Sequence, residues 1–170
     1  MIIREATEAD LPAITAMLNR EIAISPYVYA ETPATIDDRR GWLASHRSVD
    51  LPVKVAVDGD AGDQVLGWAA LSSYRTSSGY RFTAELSVYV DPAVQRRGIG
   101  AQLVAALVQV APARGLHALV ASVDAENAAS IALLERHGFV EAARLVEVGR
   151  KFERWRTQLL LLRILNERPD

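Results

Sequence analysis

Apolar and polar positions along the 170-residue chain change period repeatedly, and each change marks a new element. Residues 2–6 read as a short strand candidate. In the following TEADLPAITAMLNREIAI, Leu11, Ile14, Leu18 and Ile22 recur at steps of three or four, which places them on one helical face. Thr7 and Asp10 both have N-cap chemistry. Asp10 is the expected cap, because it leaves Pro12 in the first turn, where a missing N–H does no harm. SPYVYAETPA reads as an irregular loop, and Thr35 with Asp38 then forms a capping box opening a second helix that carries Trp42 and Leu43.

The period next falls to two. VKVAV and VLGWAALSSY, separated by the turn-forming DGDAGD, predict a hairpin. YRFTAELSVYV alternates, with Tyr80, Phe82, Ala84, Leu86, Val88 and Val90 on one face and Arg81, Thr83, Glu85, Ser87 and Tyr89 on the other. From Gly98 the helical period returns in Ile99, Leu103, Leu107 and Val110 and stops before Gly115. LHALVASV predicts a strand, and NAASIALLERHG a short helix between an Asn127 cap and Gly138. Strands over 140–148 and 158–164 close the chain. The order β α α β β β α β α β β predicts an α/β fold with a sheet of mixed direction, since hairpins enforce antiparallel pairs and a helical crossover a parallel one. With no repeat or linker, residues 1–170 read as a single domain.

Composition narrows the chemistry. The formal charge is −2, so no global field draws the chain to nucleic acid or an anionic membrane, and any anion site must be local. The absence of cysteine excludes disulfides and thiolate chemistry, and His46, His117 and His137 lack the spacing of a metal set. His137 instead suits a helix C-terminus. Acidic residues in MIIREATEAD stand where a signal peptide needs an apolar core, and Gln109 and Pro112 interrupt the longest apolar run. The expectation is a soluble, cytoplasmic protein.

One stretch carries candidate chemistry. VYVDPAVQRRGIG runs from a strand through Gln95, Arg96, Arg97, Gly98, Ile99 and Gly100 into a helix, whose first N–H groups lack intrahelical partners and favour an anion. Its spacing is neither a P-loop nor a dinucleotide fingerprint. Taken alone it is either an anion site or a glycine-assisted helix start flanked by solvated arginines.

The longer run VYVDPAVQRRGIGAQLVAAL resembles motif A of the GNAT superfamily of N-acetyltransferases, in which Q/R-x-x-G-x-G/A binds the pyrophosphate of acetyl-CoA. IREATEADLPAI is similar to the family's first strand and helix, and NAASIALLERHGF to its motif B. GYRFTAELSVYVDPAVQRRGIG, ETPATIDDRRGWL and GRKFERW further resemble the branch containing phosphinothricin and methionine sulfoximine acetyltransferases. The resemblance implies a mixed, mostly antiparallel sheet flanked by helices, with strands splayed at the acetyl-CoA site. It implies coenzyme contacts from Val88, Tyr89, Val90, Gln95, Arg96, Arg97, Gly98, Ile99, Gly100, Ala101, Asn127 and Ser130, with the Val88 N–H polarising the thioester carbonyl. Asn127 remains equally readable as a plain helix cap.

Glu85 occupies the position of the family's general base, against the alternative of an exposed strand glutamate. The acceptor, a small amino-acid-like amine, would meet Arg75, Arg81, Glu31, Tyr29 and Phe152, with Tyr27 and Trp155 nearby and a partner subunit contributing in a homodimer. No metal is implied. Two departures stand out: Leu134 replaces the Tyr or His that in many relatives protonates the thiolate, and Arg156, Thr157 and Gln158 stand where an acidic residue is common. Leu134 motivates a competing reading, an acyl-CoA-binding module with weak or lost catalysis. Acetylation of a protein N-terminus is a third.

Overall fold

A computed structural model of the chain describes residues 1–59 and 63–165. Its elements are β1 (Ile2–Glu5), α1 (Leu11–Ile24), α2 (Ile36–Ser48), β2 (Val53–Asp58), β3 (Gln64–Ser73), β4 (Thr83–Val90), α3 (Ile99–Val110), β5 (Ala118–Asp124), α4 (Ala128–Glu135), β6 (Val140–Lys151) and β7 (Arg154–Ile164). Short 3-10 turns at Glu8–Asp10, Ser78–Tyr80, Pro92–Val94 and Pro112–Arg114 join some of them. The α/β order is the one the periodicity predicts. One seven-stranded sheet runs β1-β2-β3-β4-β5-β7-β6, with β4 and β5 parallel and the other neighbours antiparallel.

The sheet is covered on both faces, which is why β2, β3 and β5 read as nearly continuous apolar runs. On one side Leu103 and Leu107 of α3 and Leu134 of α4 meet Leu71, Leu86, Leu119 and Leu161. On the other, Leu11 and Ile14 of α1 and Leu43 of α2 meet Val55, Val57 and Trp68. Tyr89 stacks on Trp68, with centroids 4.5 Å apart. The buried Arg39 of α2 lies over Trp42 at 3.4 Å and over Trp68 at 5.2 Å, and burial pulls its guanidinium down to about 10.

Several local expectations change. Thr7 and Asp10 form their own capping box around the Glu8–Asp10 turn, and Asp10 makes no side-chain cap to α1. Its carboxylate instead takes the Thr7 N–H at 2.7 Å and Arg4 at 2.8 and 2.9 Å. The strand expected from Tyr80 begins at Thr83, because Tyr80 N–H and Arg81 N–H bond back to Ser77 and Ser78 and close a turn. Tyr80, Arg81 and Phe82 therefore leave the alternating pattern. The last two strands run longer than predicted and meet at Phe152 and Glu153, both with positive φ (48° and 61°), the conformation of a tight primed hairpin turn. Residues 60–62 of the DGDAGD turn lie outside the described residues.

Two attachments pull the middle of the sheet apart. β4 follows β3 through Gly67 opposite Val90, where a Cβ on Gly67 would stand 2.8 Å from the Tyr89 carbonyl oxygen, so only glycine permits the approach. β5 follows β7 through Asp124 opposite Gln158. Between them, β4 and β5 pair only from Thr83–Ala118 to Glu85–Val120. From Leu86 onward the two strands diverge.

A buried ion pair fixes the β5 side. Arg156 of β7 grips Asp124 bidentately at 2.8 and 2.7 Å, and both side chains are almost fully buried. The Tyr29 hydroxyl donates to the same carboxylate at 2.8 Å, and the Glu126 N–H at 2.8 Å. Arg156 also donates to Glu126 at 3.1 Å. Burial pushes the Asp124 carboxyl up, but the bonds from Arg156, the Glu126 amide and Tyr29 outweigh it and hold the group below the ordinary range. Asp124→Asn should destabilise the fold by about 3–5 kcal/mol at neutral pH, because it leaves the buried Arg156 with only the exposed Glu126 carboxylate as counter-charge. The Asp124 contribution is fully present above the unfolded carboxyl value of about 3.9 and is lost as pH falls through the lower folded value. In urea titrations the gap between wild type and variant should therefore hold from pH 7 to 5 and narrow below about pH 4.

Candidate active site

The divergence of β4 and β5 opens a cleft of about 880 Å³. β4 residues Leu86 to Val90 line one wall and Ala121 to Asp124 of β5 the other. Gly98, Ile99, Gly100 and Ala101 at the start of α3 and Asn127, Ser130 and Leu134 around α4 close one end. Because the cleft-side edge of β4 has no strand partner past Glu85, its backbone donors and acceptors there, apart from the Val90 carbonyl that accepts from Gln95 Nε2 at 3.4 Å, are available to an extended ligand.

Glu85 sits at the apex, on the last paired position. Ser122 is two residues beyond its partner Val120 and so shares its face; the Ser122 hydroxyl donates to Glu85 Oε1 at 2.6 Å. Among the described residues no other hydrogen bond to the Glu85 carboxylate is present.

The loop after β4 is shaped for the helix start. Asp91 accepts from the Ala93 N–H at 2.9 Å and opens the Pro92–Val94 turn. Arg96 and Gly98 both take left-handed conformations, with φ of 62° and 80°. The first helical bond of α3 runs from Gln102 N–H to Gly98 C=O, so the preceding N–H groups are free of the helix. Ile99 buries its side chain in the core and contributes only backbone here. A Cβ on Gly100 would meet Leu133 at 3.3 Å and Val90 at 3.5 Å, so this glycine serves the close packing of α3 against α4 and β4.

The sequence-predicted residues divide. Glu85, Val88, Tyr89, Val90, Gln95, Arg96, Gly98, Ile99, Gly100, Ala101, Asn127 and Ser130 line the cleft; Arg97 is exposed and does not. Asn127 caps α4 by accepting from the Ser130 N–H at 3.2 Å, a role that keeps its side chain at the cleft edge. Leu134 is buried and offers no proton. The five acceptor candidates are not brought to the cleft of this chain. Arg75 lies beside the Tyr74 and Tyr80 rings, Arg81 over Phe82, Glu31 is exposed, Phe152 is at the β6–β7 tip and Tyr29 is held by Asp124. Met17, Arg20, Glu21 and Ile24 of α1, with Tyr27, line the cleft instead. Steps of four and three from Met17 to Glu21 and Ile24 were a readable signal for a second helix face. Ser122 was legible only as a polar break in an apolar strand.

The shape and chemistry fit an extended, phosphate-bearing acyl carrier: an unpaired strand edge, a glycine-lined helix N-terminus and a carboxylate at the apex. Among the described residues no group of three or more His, Asp or Glu is placed to hold a metal ion, and no helix is long and apolar enough to cross a membrane.

Residues 16–139 match the profile of the acetyltransferase (GNAT) family. The chain is 40% identical over 153 residues to an L-methionine sulfoximine/L-methionine sulfone acetyltransferase of Pseudomonas paraeruginosa, covering 90% of this chain and 88% of that one. It is 38% identical over 154 residues to a phosphinothricin N-acetyltransferase of Streptomyces coelicolor, covering 90% of each. A solved structure of yncA, a putative acetyltransferase from Salmonella typhimurium with its cofactor acetyl-CoA, superposes with a TM-score of 0.95 at 34% identity, covering 100% of this chain and 96% of that one. The chain therefore belongs to the GNAT acetyltransferase family and is an N-acetyltransferase that uses acetyl-CoA.

Proposed function

We propose that the chain transfers an acetyl group directly from acetyl-CoA to the primary amine of a small amino-acid-like acceptor of the methionine sulfoximine, methionine sulfone or phosphinothricin type, with Glu85 as general base. The observation that carries this reading is the position of Glu85 at the apex of the β4–β5 gap, beside the unpaired edge. The relatives named above supply the acceptor class.

Bound acetyl-CoA supplies an electrophilic thioester carbonyl and a thiolate leaving group. The edge of β4 from Val88 to Val90 holds the extended arm as an added strand, and the Val88 N–H polarises the carbonyl. The loop from Gln95 to Ala101 holds the pyrophosphate through backbone N–H groups and the helix dipole, with Arg96 adding charge and Asn127 and Ser130 bounding the site. Glu85 takes the ammonium proton through the oxygen that Ser122 does not occupy. With Leu134 unable to donate, water or the Ser130 hydroxyl serves the thiolate.

The reading includes a cytoplasmic homodimer, the compartment following from the use of acetyl-CoA. Val146, Val148, Phe152 and Trp155 are exposed apolar residues on or between β6 and β7, at the edge of the sheet, and support a partner contact there. Such a contact would bring the Phe152 tip of one protomer toward the acceptor side of the other, with Arg75, Arg81, Glu31 and Tyr29 forming the surroundings.

Thiol release from acetyl-CoA should occur with methionine sulfoximine, methionine sulfone or phosphinothricin and exceed that with an alanine-ended peptide. Tight acetyl-CoA binding without release for any amine would instead identify a binding module. Glu85→Gln should lower kcat/KM by roughly a hundred- to ten-thousand-fold while leaving acetyl-CoA affinity nearly unchanged. Gly98→Ala forces a Cβ into the left-handed region at a cost of roughly 1–2 kcal/mol. Calorimetry should show acetyl-CoA bound about tenfold more weakly by that variant.

A further inference from the structure

Past Glu85, β4 has lost the neighbouring strand that would otherwise crowd its side chains, so a long glutamate at the apex has several rotamers open to it. A base with that freedom spends only part of its time in a reactive geometry. One contact opposes the freedom. Ser122 reaches from β5 and places its hydroxyl 2.6 Å from Glu85 Oε1, a well-formed O–H···O hydrogen bond. The local pattern makes the contact more than a surface accident. Ala121 and Val123 on either side are buried, whereas Ser122 is the exposed, polar position of the β5 wall and lines the cleft. Among the described residues its hydroxyl makes no other hydrogen bond.

We infer that Ser122 is a positioning residue for the base: its hydroxyl clamps Oε1 across the β4–β5 gap and leaves Oε2 as the oxygen that takes the amine proton. The inference rests on the reading of Glu85 as base and adds no covalent step. The proton moves from the acceptor nitrogen to Oε2, and the Ser122 proton stays on its own oxygen. Ser122 thereby makes the apex of the gap a two-strand device, with the base on β4 and its brace on β5.

The test compares Ser122→Ala, Ser122→Thr, Glu85→Gln and the double variant. Ser122→Ala should lower kcat about tenfold, the loss of one hydrogen bond to a charged group, with KM for both substrates and calorimetric acetyl-CoA affinity within about twofold of wild type. Ser122→Thr, which keeps the hydroxyl on a residue suited to a strand, should recover most of that loss. In the Glu85→Gln background, removal of the Ser122 hydroxyl should have no further effect on residual turnover. A crystal structure of Ser122→Ala should show the Glu85 carboxyl in more than one position. Wild-type or faster turnover in Ser122→Ala, an equal loss in both backgrounds, or an unmoved Glu85 would overturn the clamp while leaving the base intact. Wild-type turnover in Glu85→Gln would instead overturn the base reading, and the clamp with it.

Discussion

The functional architecture depends on the inability of β4 to follow two neighbours at once. Its antiparallel contact with β3 is long and is locked by the close approach at Gly67 and the stacking of Tyr89 on Trp68. Its parallel contact with β5 is short, because β5 is committed to β7 by a seven-residue register and by the Asp124–Arg156 pair. The sheet therefore opens in its interior instead of at an edge. Backbone groups that would pair in a regular sheet are left facing a cleft, where water or an extended ligand can satisfy them.

A chain of net charge −2 offers no global attraction to a polyanionic carrier. The free N–H groups at the start of α3 are a local feature that favours an anion without a basic surface. The arginine pair that catches the eye in the sequence contributes unequally: Arg96 turns its backbone into the left-handed region and lines the cleft, while Arg97 is exposed and does not line it. Of the two glycines, Gly98 supplies a backbone conformation and Gly100 supplies a close helix contact. One short motif thus divides into turn, packing and binding roles.

The Asp124–Arg156 pair carries a similar division. Arg156 looked like a departure in an acceptor segment when read in line. In space it is a structural cation, fully engaged with Asp124 and Glu126 and tied through Asp124 to Tyr29. Tyr29 in turn lies against Gly149, where a Cβ would stand 2.5 Å from its ring. The loop between α1 and α2 is thereby fastened to β5, β6 and β7, which sets the outer rim of the cleft.

Periodicity and turn chemistry sufficed for the order of elements, the helix faces and the alternation that puts Glu85 and Tyr89 on one side of β4, because these are short-range properties of neighbouring residues. The glycine turn leading into α3 was legible for the same reason, since glycine, proline and a helix start act within a few positions. What only the tertiary structure decided were the contacts between distant segments: where β4 and β5 part, that Ser122 meets Glu85 across 37 positions, and that Asp124 receives both Tyr29 and Arg156. The turn at Ser78–Tyr80 likewise overrode an alternation that looked strand-like, because two backbone hydrogen bonds there outweighed pattern. Sequence determined the elements and the glycine turn before α3 through local sterics and hydrogen bonding; the shape of the cleft, the company of its carboxylate and the α1 residues that line it came from competition among strands for neighbours, which no local pattern encodes.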